Sequence, residues 1–323
     1  MFEIKESLEK CPTLMRDACC QALLDAADRN KDIVVLDADL VNSSGLKPFF
    51  KFHPDRAIDC GIAEANMIGI AAGLSAVGKI PFAHSFGCFS SRRVCDQIMI
   101  SCAYAKLNVR IIGSDPGVTA AKNGGTHMPF EDMGVLRSIP DIKLIEPTDP
   151  VMMRDIIKQL CGDVYGVYYI RMVRKEATAI YKEGSTFEIG KGNQIIDGND
   201  VTIFASGIMV EEAINAATVL KTEGISARVV DMFTWKPIDR DLIKKCAAET
   251  GCFVTAENHN IMGGLGAAIS EVTATECPVP IEMVGVKDRF GQVGSVDFLK
   301  EEYGLTAMEI LDAAKRAIER KNK

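Results

Sequence analysis

Short apolar runs rich in β-branched residues alternate with amphipathic stretches along the first half of the chain. These runs predict strands at 32–39, 79–85, 108–114, 142–147 and 166–172. Helical spacing of apolar residues predicts helices near 12–29, 63–77, 90–106, 131–138 and 149–161. At the start of the last of these helices, Asp149 followed by Pro150 fits a helix cap with an early proline. Such alternation is typical of βαβ units, which build a mainly parallel sheet.

The pattern breaks after Arg174 and then restarts. The stretch 182–200 is rich in glycine, asparagine and charged residues, which is the composition of a domain connection. Beyond it, the pattern predicts strands at 201–206, 227–232, 252–257 and 281–286, with helices near 208–223, 239–248, 264–275 and 305–320. The sequence therefore predicts an α/β protein of two domains, 1–185 and 186–323, each a mainly parallel sheet flanked by helices.

Length and charge limit the classes of protein to which the chain can belong. Its 323 residues exceed one average domain, and its formal net charge of −7 argues against binding nucleic acid. The most apolar segment, 65–83, is interrupted by Asn66, Lys79 and Pro81, so it predicts a core helix rather than a membrane span. No basic region precedes an apolar stretch at the N-terminus, so we expect no signal peptide and a cytoplasmic protein.

Several patterns that could indicate a site have a simpler explanation. The eleven cysteines include no CxxC pair and the four histidines do not cluster with them, which predicts reduced core thiols and no zinc site. The turn GGLGAA (263–268) lacks the full GxGxxG spacing, so a tight turn with close helix packing explains it better than nucleotide binding. Arg92 and Arg93 are predicted to form a solvated helix face or a contact for a partner chain.

Three segments at predicted strand-to-helix junctions carry side chains suited to chemistry. In KNGGTHMPFED (122–132), His127 can donate to a substrate oxygen or shuttle a proton, or it can simply bond backbone groups. In GIAEANMIGIAAG (61–73), the helix dipole favours Glu64 as a water-facing acid of the first turn, and a buried acid kept for chemistry is the alternative. In SFGCF (85–89), the two aromatic residues lie three positions apart, a pattern that predicts packing in the core.

An ordered set of motifs resembles the pyrimidine-binding domain of transketolase and its thiamine-diphosphate-dependent relatives. The motifs are DADL (37–40), GIAEANMIGIAAGL (61–74), PFAHSFGCF (81–89), NGGTHMPFED (123–132), IPDIKLIEPTDP (139–150) and YIRM (169–172). From about residue 195 to the end, including AENHNIMGGLG (256–266), the chain resembles the C-terminal domain of this family. The resemblance implies a pyrimidine-binding domain followed by a transketolase C-terminal domain.

The resemblance also implies roles for single residues. Glu64 would hydrogen-bond a ring nitrogen of the aminopyrimidine of thiamine diphosphate and so activate the cofactor, which then acts as an electron sink. His127 would be a second catalytic residue, in contact with the sugar hydroxyls. The other expected cofactor contacts are Asp39, Leu40, Phe86 and Phe89, and the residues expected to hold the sugar phosphate are Arg16, Ser43 and Arg171. The planar fork of an arginine suits a phosphate, which supports a phosphorylated sugar.

Two positions depart from the family pattern where its members contact the sugar. Asn123 stands where the family has an acidic residue, and Ser114 stands where it has a histidine. We expect both residues to belong to the substrate site. Loss of a carboxylate changes which hydroxyl arrangement a site prefers. We therefore expect a branched, modified or deoxy sugar phosphate rather than the standard pentose phosphate pair.

Full-length transketolases also have an N-terminal domain that binds the diphosphate through Mg²⁺, with a Gly-Asp-Gly and a later Asn-Asn. Here GDV (162–164) and Asn193 lack the second glycine and the asparagine pair, so we expect no metal site in this chain. The resemblance implies the C-terminal subunit of a split transketolase, which transfers a two-carbon ketol unit from a ketose phosphate to an aldose acceptor. A partner N-terminal subunit would hold Mg²⁺, in an α₂β₂ heterotetramer with a homodimeric core.

Three alternatives stay open at this point. The beta subunit of a 2-oxo-acid dehydrogenase shares the two-domain plan and the glutamate, but generally lacks a Gly-x-Thr-His stretch. Half of a deoxyxylulose-phosphate synthase shares GIAE and a Thr-His stretch, but that enzyme is normally one chain. A non-catalytic scaffold subunit would have no use for Glu64, both phenylalanines and His127 together. The split transketolase is therefore the favoured hypothesis.

Overall fold

Two compact units make up the chain. The computed structural model describes residues 1–162 and 164–323. Met1–Pro116 and Val135–Phe187 form the first unit, and Gly117–Gly134 and Glu188–Lys323 form the second. The GDV stretch includes Asp163, which lies outside the described residues. The domain boundary between 185 and 186 stays a prediction.

The secondary structure of the described residues alternates between strands and helices. The strands are β1 (Ile4–Lys10), β2 (Ile33–Asp37), β3 (Ala57–Asp59), β4 (Ile80–Phe86), β5 (Arg110–Ser114), β6 (Lys143–Ile145), β7 (Tyr168–Met172), β8 (Thr178–Tyr181), β9 (Asn193–Ile196), β10 (Val201–Ala205), β11 (Ala227–Asp231), β12 (Thr234–Lys236), β13 (Phe253–Asn260) and β14 (Ile281–Val286). The α-helices are α1 (Met15–Ala27), α2 (Val41–Ser44), α3 (Lys47–Phe52), α4 (Glu64–Ala76), α5 (Cys95–Gln97), α6 (Asp132–Arg137), α7 (Pro150–Leu160), α8 (Met209–Thr222), α9 (Arg240–Thr250), α10 (Leu265–Glu276), α11 (Val296–Tyr303) and α12 (Ala307–Lys321). Short 3-10 turns occur at Pro54–Arg56, Arg92–Val94, Gly117–Asn123 and Gly125–His127, and a π-helix spans Ile98–Tyr104.

A parallel sheet forms the core of the first unit, with its strands in the order β6-β7-β5-β4-β2-β3. Strands β2, β5 and β7 are buried along their whole length, which is typical of parallel strands. The register places Asp37 opposite His84 and Phe86 opposite Ser114. The carboxyl ends of β2, β4 and β5 therefore meet at one edge of the sheet, where α/β proteins bind ligands. Strands β1 and β8 pair separately and antiparallel.

A second sheet, in the order β14-β13-β10-β11-β9, forms the core of the second unit. Four of its strands are parallel, and β9 joins the edge antiparallel to β11. The buried rings of Phe204 and Phe253 meet edge to face with their centroids 5.0 Å apart, so neighbouring strands are also tied through aromatic packing.

Capping side chains define several helix starts, one of which the sequence predicted. The Asp149 carboxylate accepts a hydrogen bond from the Met152 N–H at 2.9 Å, and Pro150 is the first residue of α7. The predicted cap is therefore confirmed. The corresponding caps of α9, α11 and α12 are Asp239, Ser295 and Thr306.

The predicted fold class is confirmed, because both units contain mainly parallel sheets with helices between their strands. The structure adds elements that the sequence pattern did not indicate, namely β1, β3, β8, β9, β12, α2, α3 and α11. Strand β9 lies inside the stretch 182–200 that was predicted as a connection. The region predicted as one helix, 90–106, is instead a 3-10 turn, a single α-helical turn and a π-helix.

The eleven cysteines are free thiols and most are buried, as predicted. Burial raises the pKa of the Cys102 and Cys161 thiols to about 12, so both stay protonated near neutral pH. No helix among residues 1–162 and 164–323 is long and apolar enough to cross a membrane.

Candidate active site

Glu64 is the first residue of α4, yet its side chain is only 3% exposed. Its Oε1 accepts a hydrogen bond from the Ser85 hydroxyl at 3.1 Å, and its Oε2 accepts one from Arg93 Nη1 at 2.9 Å. The interpretation as a water-facing first-turn acid is therefore wrong. Of the two alternatives, the structure supports the buried carboxylate held by protein donors.

Arg93 lies in this cluster and not on a purely solvated helix face, which corrects the interpretation of Arg92-Arg93. Its guanidinium lies 3.8 Å from the centroid of the Phe89 ring, a cation–π distance, while it also pairs with Glu64. The side chain remains 45% exposed. Sequence reasoning missed this role because Arg93 and Glu64 are 29 residues apart and nothing local marks them as partners.

The two aromatic residues of SFGCF stand beside the carboxylate. Phe86 is buried at the end of β4 and Phe89 is half-buried in the turn that follows, with their ring centroids 6.3 Å apart at 53°. The Arg174 guanidinium lies 5.5 Å from the centroid of the Phe86 ring. Two rings and two guanidinium groups thus surround the end of β4, an arrangement suited to a flat aromatic ligand.

The turn after β2 carries the other two predicted cofactor contacts. Asp39 adopts φ 61°, a left-handed conformation that is uncommon for a residue with a side chain. Its N–H donates to Asp59 Oδ1 at 3.0 Å, and the Leu40 N–H donates to Asp37 Oδ1. The Asp39 side chain itself is exposed. Two carboxylates therefore hold the turn 37–40 in its conformation and leave Asp39 available to a ligand.

Cys60 is also close to this turn, next to Asp59 in sequence. Burial raises the pKa of the Cys60 thiol, and the charges of Asp59 and Asp37 act in the same direction. A thiol that stays protonated is a poor nucleophile, which disfavours Cys60 as a nucleophile.

Asp37, His84 and Ser114 form a buried hydrogen-bonded chain across β2, β4 and β5, which we call the relay. His84 Nδ1 lies 2.9 Å from Asp37 Oδ2, and His84 Nε2 lies 3.0 Å from Ser114 Oγ. All three side chains are essentially inaccessible to solvent. Ser114, predicted to contact the substrate, thus directs its hydroxyl to His84 in the protein interior, which disfavours that role.

Of the residues predicted to hold a phosphate, Arg16 and Ser43 are brought together. Arg16 Nη1 donates to the Ser43 backbone oxygen at 3.1 Å, and the side chain is 28% exposed. Gly45, at φ 77°, lies against it, and a Cβ there would be 3.0 Å from Arg16 Cγ. Because Gly45 has no Cβ, the Arg16 side chain can pack directly against the backbone at Gly45.

Arg171 is placed differently from the prediction. Its side chain is 0% exposed, and Nη1 pairs with Glu146 Oε1 at 2.6 Å. A guanidinium enclosed in this way is not presented to a ligand, so its burial disfavours the phosphate role. Three residues later, Arg174 lies beside Phe86 with Nη2 2.8 Å from Asp115 Oδ2, and its side chain is partly exposed. Sequence reasoning missed Arg174, although it is the next arginine in the same segment.

In the second unit, the segment 117–134 carries Asn123 and His127. Asn123 is exposed and His127 is half-buried, with its Nδ1 2.9 Å from Thr126 Oγ1. Two residues of the AENHN stretch hold this segment by its backbone. The Val118 N–H donates to Asn258 Oδ1 at 2.9 Å, and the Gly134 N–H donates to His259 Nε2 at 3.2 Å. The predicted sugar-contacting loop is therefore anchored at both ends.

The GGLGAA turn does not offer a phosphate site. The Glu257 carboxylate accepts hydrogen bonds from the Leu265 N–H at 2.6 Å and the Gly266 N–H at 2.9 Å, at the start of α10. A carboxylate already occupies the place where an anion would bind. A Cβ at Gly266 would be 2.7 Å from Thr255 Oγ1, so the predicted tight turn with close packing is confirmed. Among the described residues, no group of three or more His, Cys, Asp or Glu side chains is arranged to hold a metal ion.

Comparison with known families and proteins identifies the family of the chain. The transketolase pyrimidine binding domain matches residues 12–178, and the transketolase C-terminal domain matches residues 190–310. The chain is 50% identical over 308 residues to the 6-deoxy-6-sulfo-D-fructose transketolase subunit SqwH of Clostridium sp. (strain MSTE9), with 95% of each chain covered. It is 37% identical over 291 residues to one subunit of the apulose-4-phosphate transketolase of Phocaeicola vulgatus, covering 90% of this chain and 93% of that one.

A solved structure described as a split gene transketolase, inactive beta4 tetramer, is 42% identical to the chain, with a TM-score of 0.89. The match covers 95% of this chain and 99% of the other. The chain therefore belongs to the transketolase family, as predicted. The prediction of a transketolase subunit that takes part in two-carbon ketol transfer is confirmed, and the dehydrogenase, synthase and scaffold alternatives are not favoured.

Membership of this family implies thiamine diphosphate as cofactor. The residues at the end of β4 fit its aminopyrimidine half. Glu64 is a carboxylate held away from water, which suits a hydrogen bond with a ring nitrogen, and Phe86 and Phe89 provide aromatic surface for a flat ring.

Proposed function

We propose that the chain is the C-terminal subunit of a split transketolase and that Glu64 is its cofactor-activating residue. The observation that carries the proposal is the burial of the Glu64 carboxylate beside two aromatic rings at the carboxyl edge of the sheet. When bound, thiamine diphosphate supplies the electron sink that two-carbon transfer requires. Glu64 would hold or give up a proton at a ring nitrogen, which a carboxylate shielded from water can do efficiently.

The surrounding residues would bind and orient. We propose that Phe86 and Phe89 contact the ring, and that Asp39 and Leu40 border the cofactor through the fixed turn 37–40. His127 would hydrogen-bond sugar hydroxyls beside Asn123. Arg16 and Ser43 would hold the anionic end of a sugar, and Arg174 is a better candidate than Arg171 to complete that set, because its side chain is partly exposed.

The proposal includes a partner N-terminal subunit that carries the Gly-Asp-Gly and Asn-Asn motif and holds Mg²⁺. That motif is missing from this sequence, and the two relatives above are named as transketolase subunits. We further propose a cytoplasmic α₂β₂ heterotetramer and a domain boundary between 185 and 186. Free buried thiols suit a reducing compartment.

One face of α4 supports self-association of this chain. Ala65, Gly69, Gly73 and Val77 recur at helical spacing and are exposed, and Ile62 just before the helix is 77% exposed. A Cβ built on Gly69 or Gly73 would meet nothing within 4 Å, so the face is open among the described residues of the single chain. Small residues permit the close approach of another backbone. We propose that this face, on the same helix as Glu64, forms the homodimeric core.

The donor sugar that we propose is a modified ketose with an anionic terminal group. Asn123 replaces the acidic residue of the family pattern, which changes the hydroxyl arrangement that the site prefers. The 50% identical relative is named for 6-deoxy-6-sulfo-D-fructose, so this sugar is the first donor to test. An arginine fork binds a sulfonate as it binds a phosphate.

The test combines the purified chain, a candidate N-terminal subunit, thiamine diphosphate and Mg²⁺. We expect no ketol transfer by the chain alone and transfer by the complex, with 6-deoxy-6-sulfo-D-fructose turned over more efficiently than xylulose 5-phosphate and an aldose phosphate as acceptor. Robust turnover by this chain alone would refute the split-subunit proposal. If xylulose 5-phosphate served as donor as efficiently as 6-deoxy-6-sulfo-D-fructose, with ribose 5-phosphate as acceptor, the donor proposal would be refuted and the split-subunit proposal would stand.

A further inference from the structure

The relay of Asp37, His84 and Ser114 begins in the turn 37–40, because Asp37 is the first residue of that turn. Asp37 is wholly buried, and its carboxylate receives the Leu40 N–H on Oδ1 and His84 Nδ1 on Oδ2. Because a carboxylate oxygen accepts hydrogen bonds, we assign the hydrogen of this contact to His84 Nδ1. The imidazole is therefore the side-chain donor that fixes the position of the Asp37 carboxylate.

The turn depends on that carboxylate. Asp39 is held at φ 61°, and such a backbone persists only where its surroundings determine it. The Leu40 N–H would have to find another acceptor if Asp37 rotated away. A buried carboxylate that loses one donor rotates toward others, because an unsatisfied buried charge is strongly unfavourable. Loss of the His84 donor is thus expected to release the turn.

His84 makes two contacts in the relay, which we call the Asp37 arm (through Nδ1) and the Ser114 arm (through Nε2). His84 Nε2 lies 3.0 Å from Ser114 Oγ, and in the neutral ring it accepts the hydroxyl hydrogen. Ser114 belongs to β5 and makes this contact in the protein interior, away from the turn after β2. The two ring nitrogens therefore have separable tasks, one toward the turn and one toward β5.

We propose that His84 is a positioning residue for the turn 37–40, acting through Asp37 and not through Ser114. By this inference His84 keeps the Leu40 N–H on Asp37 and so keeps Asp39 and Leu40 in the conformation that borders the cofactor. The effect on cofactor binding rests on the proposed function, whereas the effect on the turn does not.

Two substitutions separate the arms, because each amide reproduces one ring nitrogen. His84→Asn places a nitrogen donor where Nδ1 was, keeping the Asp37 arm and losing the Ser114 arm. His84→Gln places an acceptor where Nε2 was, keeping the Ser114 arm and losing the Asp37 arm. We expect the amide of Leu40 in the isolated chain to exchange its hydrogen about tenfold faster in His84→Gln, as loss of a charge-assisted hydrogen bond implies, and near the wild-type rate in His84→Asn.

The matched control is His53→Gln. His53 is another histidine of the first unit with a carboxylate partner, since its Nε2 lies 3.4 Å from Asp28 Oδ1. Its polar partners, Asp28 and Arg56, lie outside the turn 37–40, so exchange at Leu40 should not change in this variant. Ser114→Ala is a second, small substitution that removes only the Ser114 arm. We expect its exchange rate at the Leu40 amide to equal that of His84→Asn.

The second measurement is the dissociation constant of thiamine diphosphate for the reconstituted complex with Mg²⁺, obtained by calorimetry without substrate. We expect it to rise about tenfold in His84→Gln and to stay within about threefold of wild type in His84→Asn. Equal exchange at Leu40 in the two His84 variants would overturn the proposal, as would a tenfold increase in Ser114→Ala. Faster exchange in His84→Gln with unchanged cofactor affinity would keep the turn assignment and count against the proposed cofactor role of Asp39 and Leu40.

Discussion

Glu64 shows how strongly the surroundings of one side chain decide its exposure to water. The first turn of a helix favours an acid through the helix dipole, and that effect alone would leave Glu64 in water. Instead its carboxylate is enclosed and receives hydrogen bonds from Ser85 and Arg93, while Phe89 contacts the same guanidinium. A carboxylate with such defined partners can exchange a proton with a bound ring without competition from solvent.

Glu64→Gln tests this assignment in the reconstituted complex. The amide has the shape of the carboxylate but cannot take up and return a proton, so we expect kcat to fall by at least about 100-fold. Steady-state kinetics with the best donor measures the loss. Glu309→Gln, at another helix first turn, is the control and should retain wild-type kcat. Near-wild-type activity of Glu64→Gln would instead favour a scaffold subunit.

Arg171 and Glu146 make a second residue-scale prediction, because both charges are buried in one ion pair. Glu146→Ala removes the carboxylate that pairs with the buried Arg171 guanidinium at 2.6 Å, so we expect the free energy of unfolding to fall by about 3–5 kcal/mol. Urea unfolding monitored by circular dichroism measures the change. Glu183→Ala removes the exposed partner of Arg154 and should change stability by at most about 1 kcal/mol. Unchanged stability of Glu146→Ala together with altered sugar affinity would favour the original prediction that Arg171 contacts the sugar.

The site could be predicted from the sequence only where a motif names the residue. Glu64, Phe86, Phe89 and the turn 37–40 were predicted to border the cofactor from the family resemblance. Their protein partners were not predicted, because contacts such as Glu64–Ser85 and Asp37–His84 join residues 21 and 47 positions apart. Long-range contacts of this kind depend on strand order and register, which local spacing does not encode.

At the scale of secondary-structure elements, Asp149 links a helix to a strand. Its carboxylate caps α7 and also accepts from the N–H groups of Ile180 and Tyr181 at the end of β8. The helix cap was predictable from Asp149-Pro150, but the bonds to β8 were not. One buried side chain thus sets both the start of α7 and the position of the β1–β8 pair.

Asp149→Ala should therefore lower stability by more than an ordinary cap substitution does. We expect a loss of at least about 2 kcal/mol, because the helix loses its cap and two strand N–H groups lose their acceptor. Ser295→Ala is the control, since Ser295 caps α11 through the Phe298 N–H, and we expect a loss of about 1 kcal/mol. Thermal and urea unfolding measure both, and equal losses would contradict the linking role of Asp149.

Two of the strands that the sequence missed, β1 and β9, lack a continuous buried apolar run. Strand β1 has the sequence IKESLEK and is mostly polar and exposed, so it gives no strand signal of its own. Strand β9 lies in a glycine-rich connection and pairs antiparallel at the edge of its sheet. Both owe their conformation to a partner strand distant in sequence, in accordance with the strong dependence of strand formation on context.

For the whole molecule, the exposed face of α4 makes assembly testable without the partner subunit. A Cβ at Gly73 meets no described atom of the single chain, and replacement of a helix glycine usually favours the helix, so Gly73→Leu should melt at or above the wild-type temperature. If this face joins two copies, the bulky side chain should prevent self-association, measured by sedimentation velocity. Thr218→Leu, an exposed position on α8, is the control. Unchanged self-association in Gly73→Leu would exclude this face.

The distribution of the chain between the two units has a consequence for protein engineering. The chain passes from the first unit to the second for residues 117–134, returns, and enters the second unit again at 188. A chimera joined near 187, between the two family segments, would take Asn258 and His259 from one parent and their partners Val118 and Gly134 from the other. Chimeras between transketolase relatives should therefore exchange residues 117–134 together with the C-terminal portion, as two pieces of one module.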